Sequence, residues 1–127
     1  MNAQRRIEKA IREEHLRIAV MLCDDPQRVL GHARGRMDKW GWSEALRLGR
    51  SAPYMREWAA LMEGPVDDLL AILTAPLDHE RAVWLRSSSP LAGLVPPRER
   101  WAIRERLKEE AAQTAASRTH HSALPGC

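Results

Sequence analysis

The sequence predicts an all-α protein, a compact bundle of about five to six helices with a Pro/Ser-rich apolar loop before the last one. Three observations predict it. Apolar residues recur at three- and four-residue spacing in one segment after another, the period of a helix that buries one face. No run rich in Val, Ile and Thr alternates apolar with polar residues as a half-buried strand would. Proline, glycine, serine and aspartate stand where the periodic runs begin and end, as helix caps and stops require.

From about Arg5 to Cys23, Ile7, Ile11, Ile18 and Leu22 form a helical stripe that Ala10 and Ala19 broaden. Asp25 is placed to cap a second helix and Pro26 to open it, at the position where its missing N–H costs nothing. Val29, Ala33, Met37 and Trp40 give that helix its apolar face, and Gly41 ends it by taking a left-handed conformation. Residues Trp42 to Arg50 read as a short helical turn or an irregular connection. Ser51 as cap and Pro53 as first residue open the next helix, whose stripe is Tyr54, Trp58, Leu61 and Met62 and whose stop is Gly64. Pro65 starts another; Asp67 and Asp68 suit its positive end, Val66, Leu69, Leu70 and Leu73 supply its buried side, and Pro76 closes it. A short helix follows, capped by Asp78, with Ala82, Val83 and Leu85 inward. The last helix is expected from Pro97 to about Ser117, with Trp101, Leu107, Ala111 and Ala115 nearly aligned. Residues 1–117 thus form one helical domain, and 118–127 are expected to be a flexible C-terminal tail.

Between the last two helices lies "LRSSSPLAGLVPPRER", in which Ser87, Ser88, Ser89 and Pro90 stop one helix and Pro96 and Pro97 start the next. The interruption is apolar at Leu91, Leu94 and Val95. Such a plug closes the open end of its own bundle or fills a groove on a partner, and the first is the expected outcome.

Composition narrows the class. The 44% hydrophobic and 29% charged residues are those of a folded globular chain. Phe is absent and five Trp replace it, spaced so that several helices would each contribute one anchor to a shared core. Residues 1–50 hold eleven Lys or Arg against seven Asp or Glu, 51–95 hold three against six, and 96–127 hold six against four. The middle is acidic and the flanks are basic. Cys23 and Cys127 form no metal-binding or disulfide framework, and a reducing compartment suits them. With no apolar stretch behind the N-terminal arginines and no run of roughly 20 apolar residues, the expected location is the cytoplasm, without a membrane segment.

No catalytic signature stands out, neither a Gly-rich phosphate loop nor a nucleophile elbow nor a metal-binding HExxH helix. Glu13, Glu14 and His15 come nearest to a metal cluster, but without a matching pair on another helix they read as a solvated face, and no cofactor is expected. Arg86 reads as a loop clamp, its guanidinium pairing with carbonyls of the Ser-rich turn or with an acidic neighbour. With His79 as base and Arg86 as charge stabiliser, an RNase-like toxin remains the least favoured reading.

The segments "DPQRVL", "SAPYMREWAALMEGPVDDLLAIL" and "LRSSSPLAGLVPPRERWAI", in this order, resemble a group of small all-helical bacterial proteins whose genes often lie beside toxin–antitoxin modules. The resemblance spans roughly residues 15–107 and is most specific at Trp58, Gly64-Pro65, Leu85-Arg86, Ser89-Pro90 and Gly93. The group favours Phe where this chain has Leu91, and Trp42 to Arg50 has no counterpart in it. It implies a regulatory, antitoxin-like role.

The expected function is accordingly a non-enzymatic interaction protein that binds a partner protein encoded nearby, a toxin among the candidates, through apolar and acidic helix faces. Leu91, Leu94, Val95, Asp67, Asp68 and Arg86 are the candidate contact residues. The alternative is a nucleic-acid-binding transcriptional regulator using Arg5, Arg6, Arg12 and Arg17 of the first helix with Arg34, Arg36 and Lys39 of the second. A contiguous basic face would favour nucleic acid, and interspersed Arg–Glu pairs a protein. Leu94→Asp tests the loop: if the plug belongs to its own bundle, the isolated protein should lose several kcal/mol of stability, read by thermal unfolding.

Overall fold

Asp25 alone turns the chain between its first two helices: its N–H bonds back to the Met21 carbonyl at 2.8 Å, and its carboxylate accepts the Arg28 N–H at 3.3 Å. In a computed structural model, which describes the backbone of residues 2–122 and the side chains of 2–117, this turn joins α1 (Ala3–Asp24) to α2 (Pro26–Lys39). Then come α3 (Trp42–Arg47), α4 (Pro53–Glu63), α5 (Val66–Thr74), α6 (Glu80–Arg86), a 3-10 turn (Ala92–Leu94) and α7 (Pro97–Ser122). There is no strand among the described residues, and none of these helices is long and apolar enough to cross a membrane. Gly41, at φ 77°, takes the left-handed turn that lets α3 begin immediately, so the segment from Trp42 is a true helix.

α1 packs against α2, α5, α6, the 3-10 turn and α7. Its Ile18 and Leu22 join Val29 and Ala33 of α2, Trp58 of α4, Leu69 and Leu73 of α5 and Leu85 of α6 in one buried cluster. Trp58 is the anchor the sequence predicts: it is fully buried, and its indole N–H donates at 3.0 Å to the Leu85 carbonyl at the end of α6, beside the bonds from Ser88. α5 ends without a glycine cap. Its terminal carbonyls are taken instead by two guanidiniums: Arg12 donates to Thr74 and Ala75, each at 2.9 Å, and Arg86 to Ile72 at 2.8 Å and Ala75 at 2.9 Å. Arg86 is therefore a clamp, but on the end of α5 rather than on the Ser-rich turn.

The apolar loop belongs to the core. Leu91 and Val95 are fully buried and Leu94 packs half-buried beside them, so these candidate contact residues are structural, with the Leu91 N–H held by Ser89 Oγ at 3.1 Å. Gly93 lets the loop lie on α2: a Cβ there would stand 3.1 Å from the Arg36 guanidinium and 3.3 Å from His32 Nε2.

Other expectations are corrected. The tryptophans do not all anchor one core: Trp42 and Trp58 are buried, whereas Trp40, Trp84 and Trp101 are exposed. Trp40, Trp42, Tyr54 and Trp84 form a row of ring contacts instead, with centroid separations of 5.3, 5.5 and 6.5 Å. α7 meets α1 through Ile103, Leu107 and Ala10, so Leu107 of the predicted stripe is buried there while Trp101 is not. Trp101 lies about 200° around the helix from Ile103, at 100° per residue, and is 65% exposed. His79, not Asp78, caps α6, its Nδ1 accepting the Ala82 N–H at 3.1 Å. α4 is preceded by Ala52 without a side-chain cap, and Ser51 instead presents its carbonyl to Arg56 at 2.6 Å. α7 continues to Ser122, five residues past its expected end, and 123–127 of the expected tail lie outside the described residues.

Emptying the Trp58 site leaves a large cavity and removes the indole hydrogen bond to the Leu85 carbonyl, which keeps the Ser88 N–H and hydroxyl. Trp58→Ala should cost about 3–5 kcal/mol in a denaturant titration, and Trp58→Phe should recover most of the packing without the hydrogen bond.

A polar cleft beside the first helix

The stripe of α1 is not continuous. Between Ile11 and Ile18, the positions that fall on the inward face are Glu14 and His15, at the i+3 and i+4 spacing that elsewhere carries apolar side chains. Both are buried, Glu14 3% and His15 0% exposed, and Arg86, 3% exposed, reaches the same place from the end of α6. The expected solvated face is thus an interior polar cluster. The segment from Ser87 to Ser89, the loop's Ala92 and α7's Arg100 and Arg104 close a cleft of about 370 Å³ around it. Trp40, Trp42 and Tyr54 form its aromatic wall.

His15 Nδ1 lies 2.7 Å from the Ile11 carbonyl. Since a carbonyl only accepts, Nδ1 carries the proton and Nε2 is left as a lone pair with no partner in the fold. Burial, with Arg86 nearby, pushes the imidazole pKa down to about 4 against the opposing Ile11 hydrogen bond, so the ring is neutral at physiological pH. Glu14 is flanked loosely by Arg104 at 3.6 Å and Arg100 at 4.0 Å, and its Oε1 accepts no hydrogen bond. Burial raises its pKa, and the charges of Arg104, Arg100 and Arg17 hold it back. Arg86 uses one nitrogen for the clamp while Nη2 has no partner, and burial followed by the Arg12 charge lowers its pKa. Each unmatched buried group costs about 1–3 kcal/mol. The hydroxyls of Ser87, Ser88 and Ser89 are all engaged with backbone groups, at 2.6, 3.1 and 3.1 Å.

The other candidate residues are dispersed. Asp67 and Asp68 stand exposed in the first turn of α5, at the opposite end of that helix from the arginine clamp. Of the basic set, Arg12 is held in the clamp, and Arg5 donates to the Leu77 carbonyl at 3.3 Å and pairs with Glu8 at 3.5 Å. Arg36 stacks 4.9 Å from the Trp40 ring centroid. Arg6 is half-buried, while Arg17, Arg34 and Lys39 are exposed. His79 uses its lone pair as a cap and does not line the cleft with Arg86. Set against protein-family models, curated proteins and solved structures, the chain matches none of them.

The cleft gives stability a pH dependence of known sign. His15 binds a proton near pH 4 in the folded chain and near 6.5 in the unfolded one. Between those values the unfolded state holds the extra proton, so stability falls as pH falls through the window, by up to roughly 3 kcal/mol at its lower end. Glu14, with its pKa raised from 4.5, acts in the opposite sense, favouring the fold more as pH falls. Comparing His15→Leu with the unaltered chain isolates the histidine: urea midpoints measured from pH 7 to 4 should fall less steeply in the variant.

Proposed function

We propose that the chain is a non-enzymatic cytoplasmic regulator of the antitoxin kind that binds a partner protein, docking it on the face where Ile7, Trp84 and Trp101 stand. That placement carries the reading. Three large apolar side chains from α1, α6 and α7 are left substantially exposed, and Ile7 lines both a groove shared with Trp84 and Leu77 and an adjoining one shared with Trp101 and Leu107. Exposed aromatic residues around apolar grooves are typical anchors of protein interfaces. Arg6, Arg104 and Lys108 border the second groove with Glu105, so the partner segment that fits is apolar with acidic flanks.

The charge arrangement supports a protein over a nucleic acid. Basic residues alternate with acidic partners along α1 and α7, as in Arg106 with Glu13 and Glu110 and Lys108 with Glu105, rather than forming an uninterrupted basic face. A binding role is supported further by the hydroxyls of Ser87, Ser88 and Ser89, each engaged with a backbone group. The Leu91–Val95 loop is not the docking element in this reading, because its large side chains already fill the core.

The test is affinity capture from the native host followed by titration of the purified pair. Trp84→Ala with Trp101→Ala should leave the melting temperature within a few degrees of the parent and weaken the complex by about 30-fold or more, the effect of losing a hot spot worth about 2 kcal/mol. A complex unaffected by the pair of substitutions sinks the proposal. So does tight binding to duplex DNA or RNA that collapses with added salt.

A further inference from the structure

We propose that the cleft floored by Glu14, His15 and Arg86 is a binding site for a small organic anion with a planar ring and a hydrogen-bond donor, adjoining the protein-docking face, with which it shares Arg86 and Arg104. Three independent features of the cleft specify this chemistry. The first is the set of polar atoms. His15 Nε2 is an acceptor without a donor and Arg86 Nη2 a donor without an acceptor, while Glu14 Oε1 has only the loose ion pairs to Arg104 and Arg100, all on residues lining one cleft. Buried polar atoms are nearly always matched, and two unmatched ones of complementary kind in a single place are the pattern of a site arranged for something other than folding. A ring N–H or hydroxyl would supply the donor for His15, and an adjacent oxygen would accept from Arg86.

The second feature is charge. Arg86, Arg100 and Arg104 line the cleft against the single carboxylate of Glu14, and the histidine contributes none, so the site favours an anion. Arg100 and Arg104, one helical turn apart on α7, project toward the same carboxylate at 4.0 and 3.6 Å and form a loose pair of donors able to turn to a phosphate or carboxylate. The third is the opposite wall, where Trp40 and Tyr54 keep part of their ring surface open beside the buried Trp42. A flat ring suits such a wall, and the volume of about 370 Å³ holds one ring system with its anionic group. The phosphate of a nucleoside monophosphate and the carboxylate of an aromatic acid share this chemistry.

Calorimetry on the full chain separates the two sources. The probes are AMP and UMP in one arm and indole-3-acetate and 4-hydroxybenzoate in the other, with inorganic phosphate as the anion alone and adenosine as the ring alone. At least one ring-bearing anion should bind with a dissociation constant of about 100 µM or tighter and raise the melting temperature at saturation, while both controls bind at least about tenfold more weakly. Arg100→Gln, at a half-exposed position outside the α5 clamp, and His15→Leu should each weaken that probe about tenfold or more while remaining folded. His15→Leu should melt no lower than the parent, because it removes an unmatched buried group. The proposal is overturned if no ring-bearing anion binds below about 1 mM, or if phosphate alone binds as tightly as any of them. Equal binding by both variants and the parent also overturns it. Failure here leaves the partner-docking proposal standing, since none of the residues substituted lines the Ile7 grooves.

Discussion

The Ala75 carbonyl accepts hydrogen bonds from two arginines at once, and the arrangement of the rest follows from that contact. α5 ends at Thr74 before a proline, with no glycine to wrap its last carbonyls back on themselves. Arg12 from the middle of α1 and Arg86 from the end of α6 take them instead, placing positive charge at the negative end of the helix. The first helix and the consecutive pair α5 and α6 are thereby held at one point. Drawing a second guanidinium to a carbonyl that already has one is unfavourable in itself, which is why the neighbouring charge adds to burial in lowering the Arg86 pKa.

The clamp has a consequence on its other side. Arg86 is held with one nitrogen on α5 and another left unmatched, and it lies beside Glu14 and His15, where the stripe of α1 would otherwise be apolar. Apolar residues at these two positions would remove the desolvation cost, so the cluster opposes folding stability locally while the large apolar core around Trp58 offsets it. A polar group kept at a core position against its own energetics is the pattern expected of a site rather than of a scaffold.

The two proposed surfaces are physically different. Around Ile7, the grooves run between α1, α6 and α7 and carry the exposed side chains of Ile7, Trp84 and Trp101. Around His15, the side chains are buried and ionisable. Arg104 borders both the cleft and the Trp101 groove, and Ile11, Arg86 and Ser87 border both the cleft and the Trp84 groove, so the two surfaces adjoin, with α7 along one border. α7 suits that position because Ile103 and Leu107 give it only a narrow apolar seam on α1, reinforced by ion pairs with Glu13 and Glu14.

Much of the fold was legible in the sequence because its signals are local. Apolar spacing specifies a helix face, Asp25-Pro26 a start, Gly41 a stop, and the Ser-Pro run a break, each through the dihedral and hydrogen-bonding limits of a few neighbouring residues. The core role of Trp58 was legible for the same reason. Even the polar cleft left a trace, since Glu14 and His15 occupy stripe positions between Ile11 and Ile18, although their identity as charged residues suggested a solvated face. What only the tertiary structure decided was which far-separated groups meet. Periodicity shows that a residue faces inward but not what it faces, so the joining of Arg12 and Arg86 on α5, the exposure of Trp84 and Trp101, and the closing of the loop over α2 depend on how the helices pack. Those contacts set the environment, and the environment decides whether an arginine is a surface charge or a clamp and whether a histidine is a solvated base or a neutral acceptor.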